Sequence, residues 1–158
     1  MKNLTTKKFL AYAVWIVPVG FLAVAANLAV QGRNFSSCSD KAFGLYNHQK
    51  YAEAIPYLKD ILVMKPDTQG VQSMIGYSFL KEQHYKEAAQ SYRQAIGDNA
   101  KRAEPLFYDA AEDHYYLGAA LLGAGDKEGA RSEWRTAIKT TIDARIVSEA
   151  KAGIASTG

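Results

Sequence analysis

A short motif recurs along this chain at a nearly constant distance. Residues 51–58 read YAEAIPYL, residues 85–92 read YKEAAQSY and residues 127–134 read KEGARSEW, so the copies begin 34 and then 42 residues apart. Alanine stands at the fourth position of every copy. A period of this length is typical of arrays in which one unit is too small to bury its own apolar face and therefore stacks on its neighbours. The sequence predicts a stack of similar units.

The pattern resembles the tetratricopeptide repeat, a helix-turn-helix unit in which small residues stand where two helices cross and larger side chains fill the space between them. The matching positions of the first helix are Lys41-Ala42, Ile75-Gly76 and Leu117-Gly118, followed by Leu45, Phe79 and Leu121. Those of the second helix are Ala54, Ala88 and Ala130, then Leu58, Tyr92 and Trp134, then Ile61, Ala95 and Ala137. The closing proline of the family's pattern is present only as Pro66, and Lys41 and Ile61 also depart from that pattern.

The resemblance implies an all-α solenoid of three helix-turn-helix repeats at residues 36–68, 69–102 and 103–142. The third copy is preceded by extra residues at 97–105, where Gly97 and Asn99 are typical of a helix end and Pro105 of a helix start. We therefore expect a loop there, followed by a lengthened first helix. Residues 143–158 carry apolar side chains at helical spacing and predict a C-terminal capping helix and tail, as the ends of solenoids require.

The N-terminal part has a different character. Residues 9–30 contain no charged residue, and 22 residues at about 1.5 Å each match the thickness of a bilayer's hydrocarbon core. We expect a basic cytoplasmic segment at 1–8, a transmembrane signal anchor at 9–30 and a linker at 31–35. Lys2, Lys7 and Lys8 precede the span and only Arg33 follows it, which favours a cytoplasmic N-terminus. The expected location is a bacterial inner membrane, crossed once, with the repeats in the periplasm.

Three alternatives to that topology remain open. The basic start, apolar core and small residues Ala23 and Ala25 also resemble a cleaved signal peptide, although the apolar run continues beyond Ala25. The charge difference across the span is small, which leaves the inverted orientation open. Lipid attachment at Cys38 is the third alternative, and the polar residues before Cys38 argue against it.

Charge and side-chain inventory exclude several classes of function. Beyond residue 37 the chain has 15 basic and 16 acidic residues, so its repeats lack the basic surface of a nucleic-acid-binding protein. One cysteine permits neither an internal disulfide nor a cysteine-based zinc site. The histidines His48, His84 and His114 lack metal-binding spacing, and there is no glycine-rich phosphate loop. We predict no enzyme activity, cofactor, metal, nucleic-acid ligand or small-molecule substrate.

The resemblance also implies where a partner would bind. In this family the first helices line a groove that commonly holds a peptide or helix of another protein. The corresponding residues here are Ser39, Phe43, Tyr46, Asn47, Ser73, Tyr77, Leu80, Lys81, Tyr115, Ala119 and Leu122. Some members hold a terminal carboxylate with basic residues, but here those positions carry Ser39, Phe43, Met74, Glu112 and Tyr116. An apolar helix or extended segment is the expected occupant, and the alternative is that these side chains only pack the fold.

These observations together predict a membrane-anchored protein-protein interaction scaffold. The expected role is that of an assembly or chaperone-like adaptor, with a protein partner belonging to a membrane or envelope complex. The alternative is a permanent accessory subunit of a large membrane protein complex.

Overall fold

The computed structural model describes residues 34–102 and 107–158, and this part of the chain consists of helices joined by short turns. The first helix, α1, covers residues 34–47. The others are α2 (Tyr51–Met64), α3 (Val71–Lys81), α4 (Tyr85–Ala100), α5 (Phe107–Gly123), α6 (Lys127–Thr140) and α7 (Ala144–Ser156). Within the described ranges there is no strand. The predicted all-α repeat fold is therefore confirmed.

Helices that follow one another in sequence pack against one another from α2 to α7. The three hairpins are α1/α2, α3/α4 and α5/α6, and α7 packs on both α6 and α5. Residues 39–158 form one compact unit, and the packing described below is that of this unit.

The turn inside each hairpin has the same backbone structure. Gln49, Gln83 and Gly125 occupy equivalent positions and all have positive φ, at 59°, 60° and 90°. The next residue's N–H donates to a carbonyl five residues back: Lys50 to Leu45 (2.9 Å), His84 to Phe79 (2.9 Å) and Asp126 to Leu121 (2.8 Å). This is the Schellman motif, which satisfies the last carbonyls of a helix and reverses the chain. Only the third turn has glycine, so two glutamines hold a conformation that costs L-residues about 1–2 kcal/mol.

In the second and third hairpins a large side chain of the second helix lies on a small residue of the first. Equivalent positions carry Ala42 and Leu58, Gly76 and Tyr92, and Gly118 and Trp134, and every one of these large side chains is at most 3% exposed. A Cβ added at Gly76 would lie 3.0 Å from the Tyr92 ring, and one at Gly118 would lie 2.5 Å from the Trp134 ring. The indole Nε1 also donates to the Tyr115 carbonyl at 3.0 Å.

The C-terminal helix α7 covers the exposed side of the third hairpin. Ile146 and Ala150 are fully buried, and a Cβ at Gly153 would lie 2.8 Å from the Trp134 ring. Arg131 of α6 donates from Nε to the Thr157 hydroxyl at 2.7 Å and from Nη2 to the Thr157 carbonyl. The guanidinium therefore fastens the end of α7 to α6, as expected for the predicted capping helix.

Two local expectations are wrong. Residues 34 and 35, assigned to the linker, are already helical. Gly97 and Asn99 do not end α4, which continues to Ala100, because one glycine inside a long helix costs only about 1 kcal/mol and the packing of the helix outweighs it. The expected lengthening of the next helix is present, since α5 has 17 residues and α3 has 11.

The expected basic segment at 1–8 and span at 9–30 lie outside the described residues, as does Pro105, and they stay predictions. Among the helices that the structure describes, none is long and apolar enough to cross a membrane.

Packing on the small residues can be tested with two alanine substitutions. Gly118→Ala places a methyl group 2.5 Å from Nε1 of the buried Trp134, so we expect a loss of about 1–3 kcal/mol in the free energy of unfolding. Gly97→Ala is the matched control, because nothing lies within 4 Å of its added Cβ and α4 should gain up to about 1 kcal/mol. Urea unfolding of the detergent-solubilised full chain, followed by circular dichroism, measures both. Equal stability of the two variants would contradict the packing described above.

Candidate functional site

A pocket of about 460 Å³ lies between the first helices of the three hairpins. The residues lining it come from the end of α1 and its turn, from the start of α2, from α3, from α4 and from the first half of α5. We call it the tyrosine pocket, and its lining consists of Tyr46, Asn47, Gln49, Tyr51, Ser73, Met74, Tyr77, Tyr92, Glu112, Asp113 and Tyr116.

The five tyrosines of the pocket form one connected set of rings. Tyr46 and Tyr51 meet edge to face at 5.4 Å between ring centroids, and Tyr51 meets Tyr77 in the same way at 5.6 Å. Tyr77 meets Tyr116 edge to face at 5.2 Å, and Tyr116 stacks on Tyr92 at 5.9 Å. These separations are those of favourable aromatic pairs, each worth about 0.5–1.5 kcal/mol beyond the area it buries. The rings therefore hold one another in place before any partner arrives.

The polar groups of the pocket include two carboxylates and one buried hydroxyl without a partner. Asp113 is 4% exposed, and Glu112 accepts a hydrogen bond from Nη2 of Arg145 on α7 at 3.0 Å. Tyr92 is 1% exposed, and its hydroxyl has no hydrogen-bond partner. A buried hydroxyl without a partner costs about 1–3 kcal/mol. The pocket thus combines negative charge with a polar group that lacks its hydrogen bond.

Burial suppresses ionisation of these tyrosines. Loss of contact with water raises the pKa of Tyr116 to about 12, and the Glu112 carboxylate adds to this shift. Burial also raises the pKa of Tyr46, with smaller contributions from Tyr77 and Tyr51. It raises the pKa of Tyr92 furthest, and there Asp113 is the next cause. All three phenols stay neutral at physiological pH.

Four residues predicted from the groove positions line this pocket. They are Tyr46 and Asn47 of α1 and Ser73 and Tyr77 of α3. Tyr115 lies beside it, with its ring 5.0 Å from that of Tyr116.

The other predicted residues lie elsewhere. Leu80 and Leu122 pack against the buried core, and Phe43 and Ala119 are half-buried outside the lining. Lys81 is exposed, with its Nζ 5.7 Å from the centroid of the Tyr77 ring. Ser39 is buried and also does not line the pocket.

The sequence-based prediction missed Tyr51, Tyr92, Tyr116, Glu112 and Asp113. Tyr51 and Tyr92 belong to second helices, which in the family's pattern form the interior packing. Tyr116 and Glu112 were noted only as positions where the basic clamp residues are missing. Because an aromatic residue and a carboxylate stand there in place of cations, these two positions already indicated a groove without basic side chains.

The remaining cavity and side-chain clusters are weaker candidates for a functional site. A larger cavity of about 770 Å³ lies beside the α2–α3 turn and the end of α4, and its lining is mostly polar loop and surface residues. His114 Nδ1 lies 2.6 Å from Glu133 Oε2 and so links α5 to α6. In the part of the chain that the structure describes, no group of His, Cys, Asp and Glu side chains is arranged to hold a metal ion.

Comparison with known sequences agrees with this architecture. The sequence profile described as tetratricopeptide repeat matches residues 44–100 and 73–139, which together are more than half of the chain. The chain belongs to the tetratricopeptide repeat family. Proteins of this family mediate protein-protein interactions and are typically scaffolds or adaptors. Comparison with curated proteins gives no matching relative.

Several solved structures share the fold. The N-terminal domain of stress-induced protein-1 from C. elegans has a TM-score of 0.66 at 13% identity, covering 78% of this chain and 96% of that domain. The type III secretion translocator chaperone SycD of Yersinia enterocolitica has a TM-score of 0.65 at 15% identity, covering 79% of this chain and 92% of its own. The second tetratricopeptide domain of human RPAP3, in complex with the HSP70 peptide SGPTIEEVD, has a TM-score of 0.64 at 19% identity, covering 78% and 97%.

The buried phenols predict how stability depends on alkaline pH. The pKa values of these phenols in the folded protein exceed the ordinary value of 10.0. Their contribution to the free energy of unfolding is therefore complete below pH 10 and is lost as the pH rises through the folded-state pKa values. Urea unfolding of the full chain at a series of pH values should show a constant midpoint up to about pH 9 and a falling one above pH 10. Tyr116→Phe should make the fall smaller. A flat profile through pH 11 to 12, or complete phenolate absorbance at pH 10 in the folded protein, would contradict the burial described above.

Proposed function

We propose that this protein is a membrane-anchored scaffold that holds a segment of another protein in the tyrosine pocket. The observation that carries the proposal is the pocket between the first helices of the three hairpins, which is lined by five tyrosine rings that pack on one another. Tyrosine rings also supply a large contact area with little loss of side-chain entropy on binding.

The family's general role supports a protein partner. RPAP3, whose domain shares this fold, is described with an HSP70 peptide that ends in Glu-Glu-Val-Asp. Such an acidic tail does not suit this pocket, where Glu112 and Asp113 would repel it. The proposed occupant is an internal segment of the partner that brings apolar surface to the rings.

The anchor is part of the same proposal. The uncharged run at residues 9–30, with its three preceding lysines, supports a single membrane span with the N-terminus in the cytoplasm of a bacterium and the repeats in the periplasm. A scaffold held in this way meets membrane and envelope proteins near the bilayer surface. Assistance in the assembly of such proteins is the role that we propose.

Photo-crosslinking from the pocket tests the proposal. A benzophenone amino acid replaces Asn47 of α1 or Met74 of α3, both in the lining, and in the control it replaces Gln90, which is exposed on α4. The crosslinking uses the full chain in bacterial membranes, and a separate sample of the same membranes is washed with alkaline carbonate to test the anchor. We expect Asn47 and Met74 to give the same crosslinked protein, joined through the same segment, and Gln90 to give none.

The binding site and the membrane anchor can each be contradicted without the other. A product from Gln90 alone, or no product from the two pocket positions, would show that partners bind elsewhere. Release of the chain by the carbonate wash would contradict the anchor, while a crosslink from the pocket would still support the binding site.

A further inference from the structure

The rings of the tyrosine pocket pack edge to face. Successive pairs among Tyr46, Tyr51, Tyr77 and Tyr116 lie at interplanar angles of 80°, 76° and 77°. The face of each ring carries the negative lobe of its quadrupole, and the ring surface that these contacts leave uncovered lines the pocket. A cation near such faces is attracted by about 0.5–2 kcal/mol, most strongly where water is excluded.

The fixed charges of the pocket also favour a cation. Its described lining contains the two carboxylates Glu112 and Asp113 and no Lys, Arg or His. Arg145 lies outside the lining and divides its guanidinium among Glu112 at 3.0 Å, Glu149 at 3.2 Å and Asp143 at 3.9 Å. One cation shared by three carboxylates leaves the pocket side negative. An entering cation is therefore favoured both by the carboxylates and by the rings.

One ring of the pocket already has a cation near it. The exposed Lys81 places its Nζ 5.7 Å from the centroid of the Tyr77 ring without being part of the lining.

We propose that the tyrosine pocket recognises a lysine or arginine side chain of the partner's segment. This inference rests on the proposed function and adds the chemistry of the contact. The cationic head group lies in the pocket against the uncovered ring surface of Tyr46, Tyr77 and Tyr116, and the aliphatic part of its side chain packs beside it. Glu112 and Asp113 supply the opposite charge.

The test compares peptides that differ in a single charge. The first pair is an N-acetylated, C-amidated Gly-Ala-Lys-Ala-Gly and the same peptide with acetyl-lysine, which keeps the chain and removes the charge. The second pair carries arginine or its neutral isostere citrulline. Binding to the full chain in detergent micelles is measured by calorimetric titration. We expect the charged member of at least one pair to bind roughly five- to thirty-fold more tightly than its neutral form, and the pair with the larger ratio tells which cation is preferred.

Two variants and their matched controls locate the effect. Tyr77→Leu and Glu112→Gln should each reduce the ratio of the affinities for charged and neutral peptides towards one. Tyr57→Leu and Glu87→Gln make the same changes outside the lining and should leave this affinity ratio unchanged. Circular dichroism of each variant confirms that the helices are retained, so that loss of the ratio reports on the pocket.

Equal binding of charged and neutral peptides overturns the proposal, as does absence of binding by all four at concentrations of about 10 mM, where even a single weak contact is measurable. Preference for a peptide with glutamate at the central position also overturns it. None of these results affects the photo-crosslinking experiment, so a pocket that binds a partner without a basic residue is distinguishable from a pocket that binds nothing.

Discussion

The contact between a large side chain of each second helix and a small residue of the first helix sets the geometry of the rest of the structure. It occurs as Tyr92 on Gly76 and Trp134 on Gly118, and the equivalent positions of the first hairpin carry the buried Leu58 and Ala42, so the larger second-helix residues stand opposite a residue without a Cβ. Because helices approach closely only where side chains are small, this pairing sets the distance inside each hairpin. Trp134 extends the same principle to α7, where Gly153 lies against its other edge.

Tyr92 connects this packing to the tyrosine pocket. Its ring belongs to the core of the second hairpin, and the same ring stacks on Tyr116 of the third at 5.9 Å. Tyr116 in turn meets Tyr77, so the floor and walls of the pocket are extensions of the contacts that stack the hairpins. Leucine at position 92 would fill much of the core but would bring neither the stacking partner nor the hydroxyl. The second repeat therefore contributes to the fold and to the candidate site with one residue.

The fold was predictable from the sequence because its determinants recur. A 34-residue spacing, alanine at a fixed position and a large residue four positions later define each hairpin without knowledge of its neighbours. The end of α4 was not predictable from Gly97 and Asn99, because local helix-ending preferences of about 1 kcal/mol are small beside the packing of a 16-residue helix.

The candidate site was only partly predictable, since it depends on contacts between hairpins. Tyr46 and Tyr77 follow from the family's groove positions, but Tyr51 enters the pocket from the start of a second helix, because the α1–α2 turn carries its ring to within 5.4 Å of Tyr46. Glu112 and Asp113 are adjacent on α5, where sequence alone does not show that both reach the same space. Leu80 and Leu122 have the spacing of groove residues, yet they pack on the core.

The central claim is that the five connected tyrosine rings form the surface on which a basic partner side chain is held. Selective carbon-13 labelling of the tyrosine rings, followed by NMR of the full chain as the lysine peptide is added, tests this most directly. The account predicts that the signals of Tyr46, Tyr77, Tyr92 and Tyr116 shift together with one dissociation constant, while those of Tyr57 and Tyr85, outside the lining, stay in place. Shifts confined to Tyr57 or Tyr85, or shifts of similar size with the acetyl-lysine peptide, would contradict it.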